Sequence, residues 1–450
     1  MRITVIGTGY LGAVHAACMA ELGHEVLGVD TDARKITALA EGRAPFFEPE
    51  LEDILLRAVS SGKLRFSTSL AEAGQFGDVH FICVGTPQLP GASGADLSHI
   101  EAVIDGLAPH LARDCLVAGK STVPVGTAAR LAARLAELAP VGRGAELAWN
   151  PEFLREGFAV QDTLRPDRIV VGSTSEPADL ALRAVYAPVL AAGTPYLVTD
   201  LATAELVKVA ANAFLATKIS FINAVADVCD AAGADVMTLA DALGHDTRIG
   251  RRFLSAGLGF GGGCLSKDIR AFMARAGELG VGDSLQFLRE VDKINVARRG
   301  LAVDVARDLA GGSFTGQNVA VLGAAFKPDT DDVRDSPALS VAAAIQAEGA
   351  VVRVHDPRAS YNARQVCPAL DYAEEAVKAC EAADVVLHLT EWREYRDLDP
   401  VQLRSVVRAP RILDGRNVLP LGQWRAAGWT ARTLGATGHG KYGAPAYASR

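Results

Sequence analysis

The first thirty residues constrain the fold of this chain more than any other stretch. A short β-branched strand, Arg2–Gly7, runs into the sequence GTGYLG at residues 7–12, and a helix is predicted from there to about Leu22. In this G-x-G-x-x-G pattern the glycines permit a tight turn and let a pyrophosphate approach the N-terminus of the helix. A second strand, Glu25–Asp30, ends in an acid about twenty residues further on. The stretch predicts a dinucleotide-binding βαβ unit, with a purely structural βαβ turn as the alternative.

Asp30 favours NAD over NADP as the dinucleotide. A carboxylate at the end of the second strand can accept hydrogen bonds from both ribose hydroxyls of the adenosine. Thr31 and Asp32 follow, and no arginine stands beside Asp30 to receive a 2′-phosphate. NAD is therefore the predicted cofactor.

Three further apolar runs are predicted to extend a parallel sheet: Val79–Val84, Cys115–Lys120 and Glu146–Trp149. Each ends in a polar or glycine-containing loop, and ligands of open α/β sheets bind beyond the carboxyl ends of the strands. We therefore expect these loops to line one crevice, with Thr86 and Thr122 near the cofactor and Glu152 and Glu156 near the chemistry. The alternative for each threonine alone is a helix cap or a turn.

Composition excludes several classes of function. The 450 residues suffice for two or three domains, and about half of them are apolar. A net charge of −8, with no basic cluster between aromatic residues, argues against nucleic-acid binding. Seven scattered cysteines without a C-x-x-C pair indicate a reducing, cytoplasmic setting and no metal site. The uncharged run Ile3–Ala20 imitates a secretory signal, but the glycine spacing within it explains it better.

A long helical tract is predicted from Ala202 to about Ala232. Lys208 and Asn212 are four residues apart and so lie on one face, among alanines and β-branched residues. A charged side chain in a buried stripe needs a partner or a function. The alternative is a solvated helix face.

The sequence GLGFGGGC at residues 257–264 places five glycines in seven residues directly before a cysteine. A helix is predicted from Leu265 to about Glu278, so Cys264 should lie near a helix N-terminus, where the dipole and free amides favour a thiolate. Lys267 and Asp268 follow in the first turn. The alternative is a glycine-rich turn that ends in a small buried cysteine.

The last third of the chain predicts a second Rossmann-like half. Asn318–Leu322, Val351–His355 and Asp384–Leu389 repeat the pattern of the first strands, and Asp356 repeats the position of Asp30. Its first turn, residues 323–328, lacks the glycine fingerprint and presents Lys327 instead. A nucleotide-type ligand held in a different way is therefore predicted. Ser336 and Pro337 are predicted to open the helix that follows.

Six blocks together carry a resemblance to a known family: GTGYLG, KSTVPVGT, NPEFLREG, the helix with Lys208 and Asn212, RFLSAGLGFGGGCLSKD and AFKPDTDDVRDSP. In this order, and over almost the entire chain, the sequence resembles the UDP-glucose/GDP-mannose dehydrogenase family. The resemblance implies a four-electron oxidation, in which two NAD⁺ convert the C6 hydroxymethyl of a nucleotide sugar to a carboxylate.

The resemblance also implies an α/β fold with two Rossmann-like doubly wound domains, joined by a long central helix and a helical dimerisation domain. Residues 1–200 would bind NAD, 201–300 would carry the catalytic cysteine loop, and 301–450 would bind the nucleotide sugar. A homodimer through the central helices is expected.

Family roles transfer to matching positions of this sequence. Cys264 corresponds to a nucleophile that forms a thiohemiacetal and then a thioester. Lys208 and Asn212 correspond to groups that polarise the C6 oxygen. Glu152 and Asp268, with Thr122, correspond to groups that organise the hydrolytic water.

The remaining positions correspond to ligand contacts. Cofactor contacts are implied for Gly7, Gly9, Tyr10, Leu11, Gly12, Asp30, Lys35, Thr86, Thr122, Glu156, Lys267 and Arg334. Substrate contacts are implied for Glu152, Phe153, Leu154, Lys208, Asn212, Arg248, Phe253, Gly257, Gly261 and Lys327. Among these, Arg248 resembles an arginine that reaches the substrate across a dimer interface; it also lies in the chain's densest arginine cluster and is the one placed on a phosphate.

The segment with Arg248 and Phe253 favours UDP-glucose as the substrate. GDP-mannose and a UDP-N-acetylhexosamine are the alternatives within the family. A two-electron 3-hydroxy-acid dehydrogenase is the alternative outside it, and that enzyme would need neither Cys264 nor a second nucleotide-type domain. Two positions depart from the family pattern, with Gly263 in place of a common serine and Ser266 in place of a common proline. We expect them to loosen the nucleophile.

Overall fold

The computed structural model describes residues 1–435, which form two compact units. The first unit consists of Met1–Ala211 and Lys267–Asp283, and the second consists of Asn212–Ser266 and the residues from Ser284 onward. The division into three domains at residues 200 and 300 stays a prediction, and residues 436–450 of its third domain lie outside the described part of the chain.

The first unit is built on an eight-stranded sheet. Its strands are β1 (Arg2–Ile6), β2 (Glu25–Val29), β3 (Leu64–Ser67), β4 (Val79–Ile82), β5 (Cys115–Gly119), β6 (Ala145–Trp149), β7 (Ile169–Gly172) and β8 (Tyr196–Thr199). The order across the sheet is β3-β2-β1-β4-β5-β6-β7-β8, and neighbours are parallel except β6 and β7. The order reverses between β1 and β4, which is where sheets of this kind bind ligands.

Helices surround this sheet because its strands are apolar on both faces. Ile3 and Val5 of β1 enter one buried cluster, and Leu27 and Val29 of β2 enter another. A parallel sheet buried in this way requires cover on each side. The helices are α1 (Tyr10–Glu21), α2 (Ala33–Ala40), α3 (Leu51–Ser60), α4 (Leu70–Phe76), α5 (Ser98–Leu107), α6 (Thr127–Leu138), α7 (Ala159–Leu164), α8 (Glu176–Val185) and α9 (Ala187–Ala191), with 3-10 turns at Ala108–His110 and Gly142–Gly144.

Four helices, three of them long, occupy the middle of the chain. They are α10 (Leu201–Ala232), α11 (Val236–Gly244), α12 (Leu265–Glu278) and α13 (Phe287–Leu309), with a 3-10 turn at Gly282–Leu285. The predicted bounds of α12 are confirmed, and those of α10 differ by one residue. Among residues 1–435, α10 is long and apolar enough to cross a membrane by length and composition, a test that the core helix of a soluble protein also passes. The buried Glu205 and Lys208 within α10 fit such a core helix.

The second unit contains a six-stranded parallel sheet. Its strands are β9 (Asn318–Leu322), β10 (Val351–His355), β11 (Asp371–Tyr372), β12 (Val385–His388), β13 (Arg411–Asp414) and β14 (Thr430–Thr433). The helices around it are α14 (Pro337–Ala347), α15 (Ser360–Val366), α16 (Ala376–Cys380), α17 (Arg393–Arg396), α18 (Pro400–Arg404) and α19 (Leu421–Ala426). The order β11-β10-β9-β12-β13-β14 repeats that of β3 to β6. Two Rossmann-like halves are therefore present, as predicted.

Helix α13 has no counterpart among the sequence predictions, which begin the second α/β half near Arg298. Its buried stripe includes Val291, Asn295, Arg298 and Ala302, spaced three or four residues apart. Two of these four side chains are polar. The other buried residues of α13 are apolar, so its hydrophobic periodicity is present, and the prediction missed the helix because it began the second α/β half inside it.

Candidate active site

The turn between β1 and α1 has the geometry of a dinucleotide-binding turn. Gly7 has a left-handed φ of +90°, and a side chain at Gly12 would overlap the carbonyl oxygen of Gly7. Nothing lies within 4 Å of the place that a Cβ would take on Gly9, the N-cap of α1. Tyr10 and Leu11 form the first turn of that helix. The turn is therefore tight at its ends and open to a ligand at the helix N-terminus.

Asp30 is held as a carboxylate at the end of β2. Its Oδ2 accepts hydrogen bonds from the backbone amide of Thr8 at 2.9 Å and from Nζ of Lys35 at 2.8 Å. Burial opposes ionisation, but hydrogen bonds from Lys35 and from backbone amides outweigh it and keep the pKa of Asp30 below its ordinary value. Arg34 pairs with Asp32. An ionised carboxylate here accepts ribose hydroxyls and repels a 2′-phosphate, so these residues fit NAD.

A buried glutamate fastens the loop of residues 150–157 beside this turn. Glu48 accepts the backbone amides of Gly157 and Ala159, each at 2.7 Å, and it also accepts the hydroxyl of Tyr10. Burial, followed by the hydrogen bond to Glu48, raises the pKa of Tyr10 far above its ordinary value. Tyr10 therefore supports the loop that carries Glu156, a partly exposed residue.

The loops after β4 and β5 meet, as the crevice prediction requires. Oγ1 of Thr86 donates to the carbonyl oxygen of Thr122 at 2.7 Å. Oγ of Ser121 donates to the carbonyl oxygen of Val84 at 2.7 Å. Both threonines thus lie at the carboxyl edge of the sheet.

Lys208 and Glu152 form a buried ion pair. Nζ of Lys208 lies 2.9 Å from Oε1 of Glu152, with side chains 6% and 13% exposed. Glu152 also accepts the backbone amide of Leu154 at 2.7 Å, and the Lys208 ammonium lies 5.7 Å from the ring centre of Phe153. Asn212, one turn further along α10, is likewise buried. The alternative of a solvated helix face is therefore wrong.

The first turn of α12 brings Lys267 and Asp268 beside Thr122. Nζ of Lys267 lies 2.8 Å from Oδ1 of Asp268, and the side chain of Asp268 is 2% exposed. These three residues line one small pocket together with Val125 and Arg275, among others. In the same wall, Nε of Arg275 donates to the carbonyl oxygen of Val125 at 2.9 Å.

In the second unit, the glycine-rich loop lies so close to neighbouring backbone that side chains at its glycines would clash with it. A Cβ at Gly257 would lie 2.7 Å from the carbonyl oxygen of Gly415, and one at Gly261 would overlap the carbonyl oxygen of Asp335. Cys264 is exposed and directly precedes α12, as predicted. The glycines therefore let the loop pack closely against the neighbouring backbone, while the thiol of Cys264 stays accessible.

Both departures from the family pattern have partners in the structure. A Cβ on Gly263 would lie 2.6 Å from the guanidinium of Arg334, so the glycine makes room for that side chain. Oγ of Ser266 donates to Oδ2 of Asp335 at 2.9 Å, and Ser266 is buried. The bond from Ser266 to Asp335 acts against the predicted loosening of Cys264.

The other predicted substrate residues of the second unit lie in loops. Phe253 adopts a left-handed φ of 65°, which is strained for an aromatic residue. Lys327 lies with its ammonium 5.8 Å from the ring centre of Phe326. Arg248 is highly exposed and pairs with Asp246 at 2.6 Å.

Asp356 occupies the place of Asp30 in the second sheet but is closed off from ligands. Its Oδ2 accepts the backbone amides of Ala324 at 2.7 Å and Ala325 at 2.9 Å, and the indole Nε1 of Trp392 at 3.1 Å. Asp356 is 4% exposed. Asp356 is therefore closed to a ribose, and the different way of holding a nucleotide in this half stays a prediction.

Comparisons with known proteins agree with this arrangement. Models of the UDP-glucose/GDP-mannose dehydrogenase family match in order: the NAD binding domain at residues 1–190, the central domain at 202–297 and the UDP binding domain at 320–420. The chain is 40% identical over 429 residues to UDP-glucose 6-dehydrogenase YwqF of Bacillus subtilis, covering 95% of this chain and 96% of that relative. The chain belongs to the UDP-glucose/GDP-mannose dehydrogenase family.

Two solved structures of this dehydrogenase family are also similar. A UDP-glucose dehydrogenase from the archaeon Pyrobaculum islandicum is 39% identical with a TM-score of 0.88, over 97% of this chain and 98% of that one. A UDP-D-ManNAc dehydrogenase from Pyrococcus horikoshii is 28% identical with a TM-score of 0.83, over 97% and 99%. The predictions of the family, the fold, an NAD-dependent nucleotide-sugar dehydrogenase and NAD as cofactor are confirmed.

Several residues that hold the glycine-rich loop of this dehydrogenase escaped the sequence analysis. Arg416 donates to the carbonyl oxygens of Gly259 and Phe326, each at 3.0 Å. Arg416 follows β13. Thr86 was selected because it is a polar residue just after a parallel strand, and the same rule would have found Arg416. Oδ1 of Asn223 accepts the amide of Gly257 at 2.9 Å. Asn223 lies three turns beyond Asn212 on α10, a spacing that would have signalled it.

Proposed function

We propose that this chain is a UDP-glucose 6-dehydrogenase that produces UDP-glucuronate through a Cys264 thioester. The observation that carries the proposal is the exposed Cys264 at the start of α12, directly before the turn with Lys267 and Asp268. An ordinary two-electron dehydrogenase has no use for a nucleophilic thiol at this place.

The reaction needs two oxidations at one carbon. Bound at the β1–α1 turn and Asp30, NAD would supply the hydride acceptor for each of the two oxidations of C6. The C6 hydroxyl first loses its proton and becomes an aldehyde, and the Cys264 thiolate then forms a bond to C6 while the oxygen takes up a proton. In the second oxidation the hydroxyl of this thiohemiacetal loses its proton and C6 gives up a second hydride, which leaves a thioester. Water then breaks the carbon–sulfur bond and leaves a carboxylate and the restored thiolate.

The buried polar side chains have proposed electrostatic roles. Lys208 and Asn212 stabilise negative charge on the C6 oxygen, a task suited to preorganised donors in a site without bulk water. Glu152, paired with Lys208 at 2.9 Å, keeps that ammonium in place. Glu152 and Asp268, with Thr122, orient the water for thioester hydrolysis. A carboxylate within reach of a water can accept its proton as the carbon–oxygen bond forms.

Binding roles follow the same assignment. We propose that the β1–α1 turn, Asp30 and Lys35 hold the adenosine and pyrophosphate of NAD, with Thr86, Thr122, Glu156, Lys267 and Arg334 as further contacts. The nucleotide sugar would contact Phe153, Leu154, Phe253, Gly257, Gly261 and Lys327, and Arg248 of the partner subunit in a dimer.

UDP-glucose is the proposed substrate within the family. It is supported by the 39% identity to the Pyrobaculum islandicum UDP-glucose dehydrogenase, against 28% for the UDP-D-ManNAc enzyme. The test is a panel of UDP-glucose, GDP-mannose and UDP-N-acetylmannosamine assayed by NADH absorbance. We expect the largest kcat/KM with UDP-glucose, and a larger value with either other sugar would reject this substrate.

We also propose a cytoplasmic homodimer. All seven cysteines are free, which suits a reducing compartment. Phe214, Phe221 and Val228 recur every seven residues on α10 and are 67%, 53% and 66% exposed, an apolar face that a second copy would cover. Light scattering should give the mass of two chains for the parent and of one chain for Phe221→Glu. Val366→Glu, at an exposed valine of α15, is the matched control and should remain dimeric.

A further inference from the structure

Helix α13 holds the beginning of the glycine-rich loop. Oδ1 of Asn295 accepts the amide of Phe260 at 2.8 Å, and Nδ2 of Asn295 donates to the carbonyl oxygen of Phe260 at 3.0 Å. Nε of Arg298 donates to the carbonyl oxygen of Gly257 at 2.9 Å, and its guanidinium pairs with Asp227. Asn295 and Arg298 are each 1% exposed. Two adjacent turns of one helix thus fix the backbone before Cys264.

The next residue of the same helix, Arg299, holds the first turn of α12, just after the loop. Nη2 of Arg299 lies 2.8 Å from Oδ1 of Asp335, whose Oδ2 accepts Oγ of Ser266 at 2.9 Å. Arg299 also donates to Oγ of Ser340 at 3.1 Å, which fixes the guanidinium between two partners. Asp335 has a left-handed φ of 46°, a strained conformation that persists only where surrounding contacts hold it. The chain of contacts from Arg299 to Ser266 ends two residues beyond Cys264.

The energetics favour a positioning role over simple stabilisation. Burying a guanidinium and an amide costs free energy unless hydrogen bonds compensate, and an apolar stripe would stabilise the packing of α13 as well or better. Here Asn295 and Arg298 are directed at main-chain atoms of the loop before the thiol. Arg299 reaches the side chain of Ser266 beyond the thiol through Asp335. Such hydrogen bonds fix the conformation of the loop, which apolar contacts could not do because its glycines have no side chains.

We propose that α13 is a positioning element for the nucleophile, with Asn295, Arg298 and Arg299 as positioning residues. Arg298 and Asn295 fix the loop before Cys264, and Arg299 fixes it afterwards through Asp335 and Ser266. The inference rests on the proposed role of Cys264, and it assigns to neighbouring side chains of one helix the task of holding the thiol at a constant place.

The decisive variants are Ser266→Ala, which removes the last link alone, and Arg299→Gln, with Arg299→Lys as the conservative rescue. Arg307→Gln is the matched control, because Arg307 lies on α13 and forms partly exposed ion pairs with Asp304 and Glu348, away from the loop. Each protein is assayed for kcat and KM with UDP-glucose and for its unfolding temperature. The alkylation rate of Cys264 by iodoacetamide is followed from pH 6 to pH 10 by mass spectrometry of its peptide.

We expect Ser266→Ala and Arg299→Gln to lower kcat by about 10- to 100-fold, because small misplacements of a reacting group have effects of this size. KM should change less than about threefold, and the pH profile of Cys264 alkylation should shift. Arg299→Lys should recover part of kcat, and Arg307→Gln should match the parent. An unchanged alkylation profile in Ser266→Ala and Arg299→Gln would overturn the proposal, as would a kcat that falls only with the folded fraction.

The alkylation measurement tests the positioning role of α13 independently of the proposed function. If Cys264→Ser still produced the acid, the nucleophile assignment would fail. The alkylation profiles would still report whether α13 holds the thiol.

Discussion

Nζ of Lys208 and Oε1 of Glu152 are 2.9 Å apart in a part of the first unit from which water is largely excluded. The pair joins α10 to the loop after β6, where the phenyl ring of Phe153 also faces the ammonium. A buried charge that loses its partner is costly, so each member depends on the other.

Glu152→Gln should therefore lower kcat by about 10²- to 10³-fold, the range seen when one group that stabilises transition-state charge is lost. The ammonium of Lys208 would face a neutral amide and change position. Steady-state kinetics with UDP-glucose measures the effect. Glu101→Gln, which breaks an exposed pair with Arg130, serves as the control. Equal kcat values for the two variants would contradict the role of Glu152.

Cys264→Ser should abolish acid production while UDP-glucose binding stays measurable by calorimetry. A serine hydroxyl is a far weaker nucleophile than a thiolate, so no covalent intermediate would form. Cys367→Ser, at a partly buried cysteine of the same unit, should keep the parent activity. Undiminished acid production in Cys264→Ser would refute the nucleophile assignment.

Glu205 should contribute to stability as the cap of α6. Its carboxylate accepts the amides of Gly126 at 2.7 Å and Ala128 at 2.6 Å, and it is 2% exposed. Glu205→Gln would turn an NH₂ group toward one of these amides, so we expect a loss of about 1–3 kcal/mol in the free energy of unfolding. Urea denaturation measures this change in the free energy of unfolding. Glu137→Gln on α6 should lie within about 0.5 kcal/mol of the parent, and a similar result for Glu205→Gln would contradict the cap.

Lys120 should make stability depend on pH in the alkaline range. Burial lowers the pKa of its ammonium to about 8, and Nζ donates to Oδ1 of Asn150 at 3.0 Å. The pKa of lysine in the unfolded chain is about 10.4, so the unfolded chain binds more protons between pH 8 and 10 and stability rises with pH. Between these pH values the free energy of unfolding of the parent should gain about 2 kcal/mol relative to Lys120→Met. Parallel pH profiles for the two proteins would contradict this titration.

Local patterns predicted those parts of the protein in which chain neighbours determine the structure. The turn at Gly7–Gly12, the position of Cys264 before α12 and the cap of α14 at Ser336 each depend on adjacent residues, and the structure agrees. The doubly wound order of both sheets follows from runs of apolar strands.

The features that could not be predicted from the sequence depend on contacts between residues that are far apart in the chain. From the sequence alone, Arg298 would be expected on the surface, because it is charged. Its bonds to Gly257 and Asp227 explain why it is buried. Asp356 repeats the pattern of Asp30, yet the indole of Trp392 closes it to ligands. No spacing rule links these positions, because tertiary contacts bring them together.

The central claim, a four-electron oxidation through Cys264, is tested most directly by the number of NADH formed per UDP-glucose consumed. Limiting UDP-glucose is converted to completion with excess NAD⁺, NADH is measured by its absorbance, and the loss of substrate by chromatography. The mechanism predicts two NADH for each UDP-glucose, with UDP-glucuronate as the product. One NADH for each UDP-glucose, with an aldehyde as the product, would contradict it.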